Sequence, residues 1–171
     1  SKMELQLAHA GRKASTLPPW EGGKPLSAEE GAWETIAPSA IPFAEGWHVP
    51  RQMDEEDLET VGRAFVDSAL RAERIGFDVL EIHAAHGYLL SEFLSPIANW
   101  RKDCYGGSLE NRMRFPLEVI EAVRDEVGPD FVVGIRVNAD DFVDGGVTLD
   151  DFLKIALLLV EGGRIDFVNV S

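Results

Sequence analysis

At 171 residues, 45% hydrophobic and 27% charged, the chain is long enough to bury a core of its own and has an ordinary globular composition. Its formal net charge of −14 repels phosphate backbones, so no nucleic-acid partner is expected. The single cysteine, Cys104, excludes an internal disulfide and fits a cytoplasmic protein; the longest fully apolar run, Ile155 to Val160, is far too short to span a bilayer, so no membrane partner is expected.

Met3 to Ala8 alternates in polarity and predicts a strand. His9 to Met53 holds most of the prolines and glycines and shows no clear period, which predicts a long functional excursion. Its tryptophans, Trp20, Trp33 and Trp47, are expected to pack the loop. Asp54 has the position of an N-cap, and Leu58, Val61, Phe65 and Ala69 continue at helical spacing until Gly76 stops the helix. Asp78 to His83 is a second strand. A loop follows, closing on the turn signal Tyr105-Gly106-Gly107-Ser108. A helix from about Leu109 to Val127 carries Pro116, a place where it could kink, and stops at Gly128-Pro129. Phe131 to Val137 is a third strand. Thr148 is placed to cap a helix bearing Phe152, Leu153, Ala156, Leu157 and Val160, and Asp166 to Val170 is the fourth strand. The chain opens almost directly on one strand, with no signal-peptide pattern in its first residues, and closes on another. We read this as truncation at both ends of a larger domain.

Strict alternation of strand and helix implies parallel strands joined by right-handed crossovers. A weak internal echo supports it: Gly76-Phe77-Asp78-Val79 and Gly163-Arg164-Ile165-Asp166-Phe167 both read helix stop, aspartate, strand. A doubly wound open sheet and a (β/α)8 barrel both fit this order. Neither a P-loop nor a Gly-x-Gly-x-x-Gly turn follows any strand, which weighs against a nucleotide-binding open sheet. Face parity favours the barrel. One face carries Glu4, Gln6 and Ala8 of the first strand, Val79, Glu81 and His83 of the second, Val132, Gly134 and Arg136 of the third, and Phe167, Asn169 and Ser171 of the fourth; the other is nearly all aliphatic, as for a strand covered by helices outside and lining a barrel inside. Gln6, His83 and Arg136 lie toward the strands' C-terminal ends, where barrel active sites sit. Left unpaired, such buried groups would cost roughly 1–3 kcal/mol each, a cost a polar ligand removes.

The densest cluster of reactive side chains is Glu81-Ile82-His83-Ala84-Ala85-His86-Gly87-Tyr88, just past a strand end. Imidazoles can donate hydrogen bonds to a carbonyl oxygen, and a phenol can deliver a proton. The same residues could equally be hydrogen-bonded loop side chains. A metal site is a further competitor, although His83 and His86 are three apart rather than two, and His9 and His48 have no obvious ligand spacing.

Four motifs resemble the old yellow enzyme family, and they occur in its order: Gln6-Leu7-Ala8-His9-Ala10-Gly11-Arg12, His83-Ala84-Ala85-His86-Gly87-Tyr88-Leu89, Glu92-Phe93-Leu94-Ser95-Pro96, and Arg101-x-Asp103-x-Tyr105-Gly106-Gly107-Ser108-x-Glu110-Asn111-Arg112. Trp20, Trp33, Ala37 to Ile41 and the His-x-x-His pair are similar to its bacterial branch of xenobiotic reductases and thermophilic-type ene-reductases. Relatives that pair histidine with asparagine would carry Asn at position 86. The resemblance implies one α/β domain over 1–171: a partial (β/α)8 TIM barrel, approximately strands 3 to 6 with their helices, its N- and C-terminal parts missing. It implies an NAD(P)H:flavin oxidoreductase of NADPH dehydrogenase type, with FMN bound and NADPH or NADH as hydride donor. The partner would be a small electron-poor alkene such as an enone or nitroalkene, and a homo-oligomer is expected. Gln6 would hold the flavin pyrimidine edge, and Arg136 would stabilise the charge that grows there on reduction. His83 and His86 would clamp the substrate oxygen, Tyr88 would protonate the α-carbon, and no metal would be bound. Against these stand plainer roles: Gln6 pairing with neighbouring strand groups, Arg136 neutralising Glu81 or Glu4, and His9 fixing the loop. Arg101, Asp103 and Arg112 are expected to lock the loop to its helix through paired charges, and Cys104 to be incidental. An inactive, self-associating half-barrel and a metal-dependent barrel hydrolase remain as alternatives.

Overall fold

Four parallel strands lie side by side, and the helices between them supply the crossovers. The computed structural model describes residues 2–171. In chain order the elements are β1 (Glu4–Leu7), the two-residue strands β2 (Ile36–Ala37) and β3 (Arg51–Gln52), α1 (Glu55–Arg74), β4 (Val79–Ala84), α2 (Leu89–Leu94), α3 (Leu109–Glu126), β5 (Val132–Val137), α4 (Leu149–Glu161) and β6 (Phe167–Val170). The main sheet runs β1-β4-β5-β6, so each successive crossover moves one strand further in the same direction. A doubly wound sheet reverses direction at a switch point, whereas a barrel does not. The topology is therefore an arc of a barrel.

Register fixes which side chains meet. Gln6 pairs with Glu81, Glu81 with Gly134 and Gly134 with Phe167; in the next row on the same face His83 pairs with Arg136 and Arg136 with Asn169. The opposite face is the core. Leu80, Ile82, Val133, Ile135 and Val137 are buried in one cluster with Phe65 and Ala69 of α1 and Val119, Ile120 and Val123 of α3. Burying each large aliphatic contributes about 1.5–3 kcal/mol, which is what holds the helices on this face. On the polar face, the Phe167 ring occupies the space a Cβ at Gly134 would need, so glycine there lets the ring lie across β5. The two echoing aspartates do equivalent work. Asp78 accepts from Met3 N at 2.9 Å and Asp166 from Val133 N at 2.8 Å, each tying a new strand to the start of its neighbour.

The helix boundaries follow local chemistry. Asp54 accepts from Asp57 N at 2.9 Å in a reciprocal capping box, and Thr148 caps α4 in the same way with Asp151. Gly76, at φ +92°, ends the turn after α1. Ser108 caps α3, which passes unbroken through Pro116, so the kink considered there does not interrupt the helix. Among the described residues no helix is long and apolar enough to cross a membrane.

Three expectations need correction. The segment after His83 is more than a loop: Leu89–Leu94 is helical, with all six residues buried. At under two turns, and with its polar Ser91 and Glu92 buried along with its apolar residues, it leaves no amphipathic period to read. Arg112 locks its loop through carbonyls, donating to Leu94 O at 2.7 Å and Gly107 O at 2.6 Å, and not through a paired charge. Arg101 does carry the expected pair, meeting Asp103 at 2.6 Å while donating to Met53 O at 2.7 Å. Of the excursion's tryptophans, Trp20 and Trp33 are exposed; Trp47 packs edge-on against Phe43 with ring centroids 4.8 Å apart.

Candidate functional site

The end of β4 carries the reactive cluster. His83 points to the polar face and is buried. Its Nδ1 accepts from Ala85 N at 3.2 Å, which leaves the ring proton on Nε2. His86 and Gly87 then adopt left-handed backbone, at φ +59° and +67°. This sharp reversal brings the His86 ring edge-on to His83, centroids 5.0 Å apart, and sets Tyr88 on the same imidazole at 5.2 Å. A left-handed non-glycine costs on the order of 1–3 kcal/mol and persists only when its surroundings hold it. Here His86 N donates to Asn138 Oδ1 at 2.9 Å, Lys13 Nζ donates to His86 O at 2.7 Å, and His86 Nε2 lies 2.6 Å from Ser171 Oγ. With Ser171 donating to Nε2, His86 keeps a free N–H at Nδ1.

Both imidazoles are held below the ordinary histidine pKa. For His83 burial is the main cause, followed by His86 and Arg136, with Glu81 opposing. For His86 burial again comes first, then the positive charges of Arg136 and Lys13. Both rings are therefore neutral near pH 7, each able to donate one N–H.

On the neighbouring strands, Gln6 Nε2 donates to Glu81, and Asn169 Nδ2 donates to the other oxygen of that carboxylate at 2.7 Å. The plainer role for Gln6, pairing with a strand polar group, is thus present, yet only its amine end is used. The plainer role for Arg136 is not. No carboxylate lies within ion-pair distance of Arg136 among the described residues, its buried Nε has no partner, and its one hydrogen bond is a long 3.4 Å contact to Ser171 Oγ. Gln6, His83, His86, Tyr88 and Arg136 are all brought to one end of one face. His9 stands apart and fixes the loop, its Nδ1 accepting from Gly11 N at 3.1 Å and its carbonyl from Leu89 N at 2.9 Å.

Several residues of this neighbourhood were not singled out by sequence. Asn138 was within reach of the argument, since it continues the parity of Gly134 and Arg136 past the end of β5. Lys13 gave no signal, and Glu92 entered only as the first residue of the motif Glu92-Phe93-Leu94-Ser95-Pro96, with no role attached to it. Glu92 is 1% exposed on α2, accepts from Arg12 N at 3.0 Å and leaves its second oxygen without a partner. Burial pushes its carboxyl up to about 8. Gly11 lies so close that any Cβ there would strike this carboxyl. The contact ties α2 to the turn that delivers Lys13 to His86. Beside them opens a cavity of about 410 Å³ bordered by Lys13, Phe43, His86, Asn138 and Phe142. Among the described residues no group of three or more His, Cys, Asp or Glu side chains could hold a metal ion.

The model of the NADH:flavin oxidoreductase / NADH oxidase family matches residues 1–169. An NADPH dehydrogenase of Geobacillus thermodenitrificans (strain NG80-2) is 48% identical over 168 residues, covering 98% of this chain and 44% of the relative. Among solved structures, an Old Yellow Enzyme from Pichia sp. AKU4542 superposes with a TM-score of 0.78 at 32% identity, over 99% of this chain and 47% of that one. A structure of morphinone reductase in complex with tetrahydroNAD gives 0.77 at 31%, over 99% and 48%. The chain thus spans about half the length of these relatives, and its four strands form part of their (β/α)8 barrel. A family match over nearly every residue, joined to a fold and a motif set that agree with it, places the chain: it belongs to the NADH:flavin oxidoreductase / NADH oxidase family.

Proposed function

We propose that a protein containing this chain is an FMN-dependent ene-reductase, passing hydride from NADPH or NADH to electron-poor alkenes such as enones or nitroalkenes. The observation that carries this reading is the row in which His83, a neutral N–H donor, sits beside Arg136, a cation with no carboxylate partner among the described residues. A buried guanidinium nitrogen without a partner fits an anionic or carbonyl-rich ligand. Gln6 Oε1, unused by the described residues, fits the N–H of a flavin imide. FMN fits these groups.

When bound, FMN would supply the two-electron chemistry, accepting hydride from the nicotinamide and returning it to the β-carbon of the alkene. Arg136 would stabilise the negative charge that reduction creates, acting at a site where no carboxylate of the described residues competes for it. The free N–H groups of His83 and His86 would bind the carbonyl or nitro oxygen and draw electron density from the double bond. Tyr88, held against His83, would give its phenolic proton to the α-carbon and so complete the addition of H₂ across the bond. A homo-oligomer and a cytoplasmic location belong to the same proposal; the latter is supported by the one free thiol, Cys104.

The test is direct. Purified protein is loaded with FMN, mixed anaerobically with NADPH or NADH, and then given cyclohexenone. Bleaching of the flavin band followed by reoxidation with loss of the enone is expected. Absence of both would overturn the reading.

A second reading applies to the 171-residue chain in isolation: a self-associating half-barrel. It is favoured by the apolar stripe Leu149, Leu153, Leu157 and Val160, which runs exposed along α4, and by the unpaired edges of β1 and β6.

A further inference from the structure

We propose that Glu81 is a positioning residue that fixes which end of the Gln6 amide faces the flavin. The inference rests on the FMN reading above.

Glu81 is 2% exposed in the middle of β4, an unusual place for a carboxylate. Both of its oxygens are occupied by amide N–H groups, from Gln6 on β1 and from Asn169 on β6. Gln6 is its direct register partner, whereas Asn169 reaches it from two strands away. The intervening strand carries Gly134 at Glu81's register position, so no β5 side chain stands there.

A primary amide has a donor end and an acceptor end of nearly the same shape, and nothing in its own geometry chooses between them. A carboxylate can only accept. Facing Glu81, the Gln6 amide must therefore present Nε2 to the carboxylate and Oε1 to the opposite side. That oxygen is left as an acceptor at the polar face. A flavin imide edge offers one N–H donor, at N3, and a correctly oriented Gln6 oxygen would receive it. Were the amide free to turn, it could also set N–H against N–H, and the ligand would have to supply the bias itself.

The same logic separates two changes at position 81: leucine offers no acceptor and frees the Gln6 amide to turn, whereas glutamine can hold Gln6 only if Asn169 gives way. Glutamine has one acceptor oxygen and one amine, yet it would sit between two donor amides. One of those would have to turn over or go unpaired. Moving the acid to position 169 repairs the pattern: in E81Q/N169D, the amide introduced at position 81 accepts from Gln6 and donates to the carboxylate introduced at position 169. Glu81 thus acts through Gln6 without touching the ligand itself.

The experiment uses the full-length protein loaded with FMN labelled with ¹⁵N at N3, and reads the N3–H proton by NMR together with the FMN dissociation constant. In the unmodified protein this proton is expected downfield and protected from exchange. In E81L it should move upfield and exchange faster, with FMN affinity falling roughly three- to tenfold, the range of one hydrogen bond. E81Q/N169D, which keeps an acceptor for Gln6, should retain both at the unmodified level. Gln6→Leu, which leaves the Glu81–Asn169 bond intact, should mimic E81L in direction. An unchanged N3–H signal in E81L or Q6L, or a well-folded double variant that lacks it, would overturn the assignment. Failure of the unmodified protein to bind FMN would overturn the functional reading itself, and that outcome is distinct from a bound flavin indifferent to position 81.

Discussion

His83 and Arg136 are direct cross-strand partners at the ends of β4 and β5, a neutral ring held beside a positive charge. Burial and the charges of His86 and Arg136 together keep His83 below its ordinary pKa. Replacing Arg136 with methionine removes one of these causes while keeping the volume. The His83 pKa, followed by NMR titration of the ligand-free protein, should rise toward the usual imidazole value. An unchanged value would mean that the guanidinium does not act on this ring.

Three histidines, His9, His83 and His86, have lowered pKa values, burial being the first cause in each. The sign follows from linkage. Below the unfolded value of about 6.5 the unfolded chain takes up protons that the native state refuses, so stability falls as pH drops through that value. Thermal unfolding should show a declining midpoint between about pH 7 and 5.5. Replacing His9 with glutamine, which can still accept from Gly11 N, should shallow the decline.

Glu92 runs the other way. Its folded pKa, about 8, lies above the ordinary carboxyl value, so the stabilisation is complete at low pH and is lost as pH rises toward 8. Glu92→Gln keeps an acceptor for Arg12 N and removes the ionisation. At about pH 8.5 the variant should melt higher than the unmodified chain, by about 2–4 °C for each kcal/mol recovered, and at about pH 5 the two should converge. A variant less stable at the higher pH would show that Glu92 is needed charged, as a partner for Lys13 and Arg12.

Within the reactive cluster, Tyr88 and the two histidines should separate kinetically. Tyr88→Phe removes a proton donor and leaves the oxygen clamp, so alkene reduction should slow by about 10²–10⁴-fold while flavin reduction by nicotinamide changes little. His83→Ala or His86→Ala should instead weaken binding of carbonyl ligands, measured by titration of the flavin band. Equal slowing of both half-reactions by Y88F would remove Tyr88 from its role.

The isolated 171-residue chain should associate and bind FMN weakly or not at all. Val79, Val132 and Phe167 on the polar face are only half-buried, and the α4 stripe is open. Gel filtration with light scattering followed by an FMN titration tests this. A stable monomer holding FMN at submicromolar affinity would refute it, and would make these four strands a self-sufficient flavin site.

Much of this was legible before any fold was considered. Alternation of polarity gave the four strands and their two faces, because a strand's side chains alternate whatever it pairs with. Asp54 and Thr148 marked helix starts, because a cap acts within three or four residues of itself. The spacing of His83, His86 and Tyr88 placed them together at one strand end, and parity put Gln6 and Arg136 on the same face. Tertiary structure alone decided the rest. Register set His83 against Arg136 and Gln6 against Glu81, and a slip of one residue would have reversed both faces. The α2 helix was invisible because it is under two turns long and buried all round. Lys13 reaches the carbonyl of His86 across 73 positions, and Glu92 reaches Arg12 across 80. Such contacts depend on how the long excursion packs over α2, and no local propensity at either end encodes that.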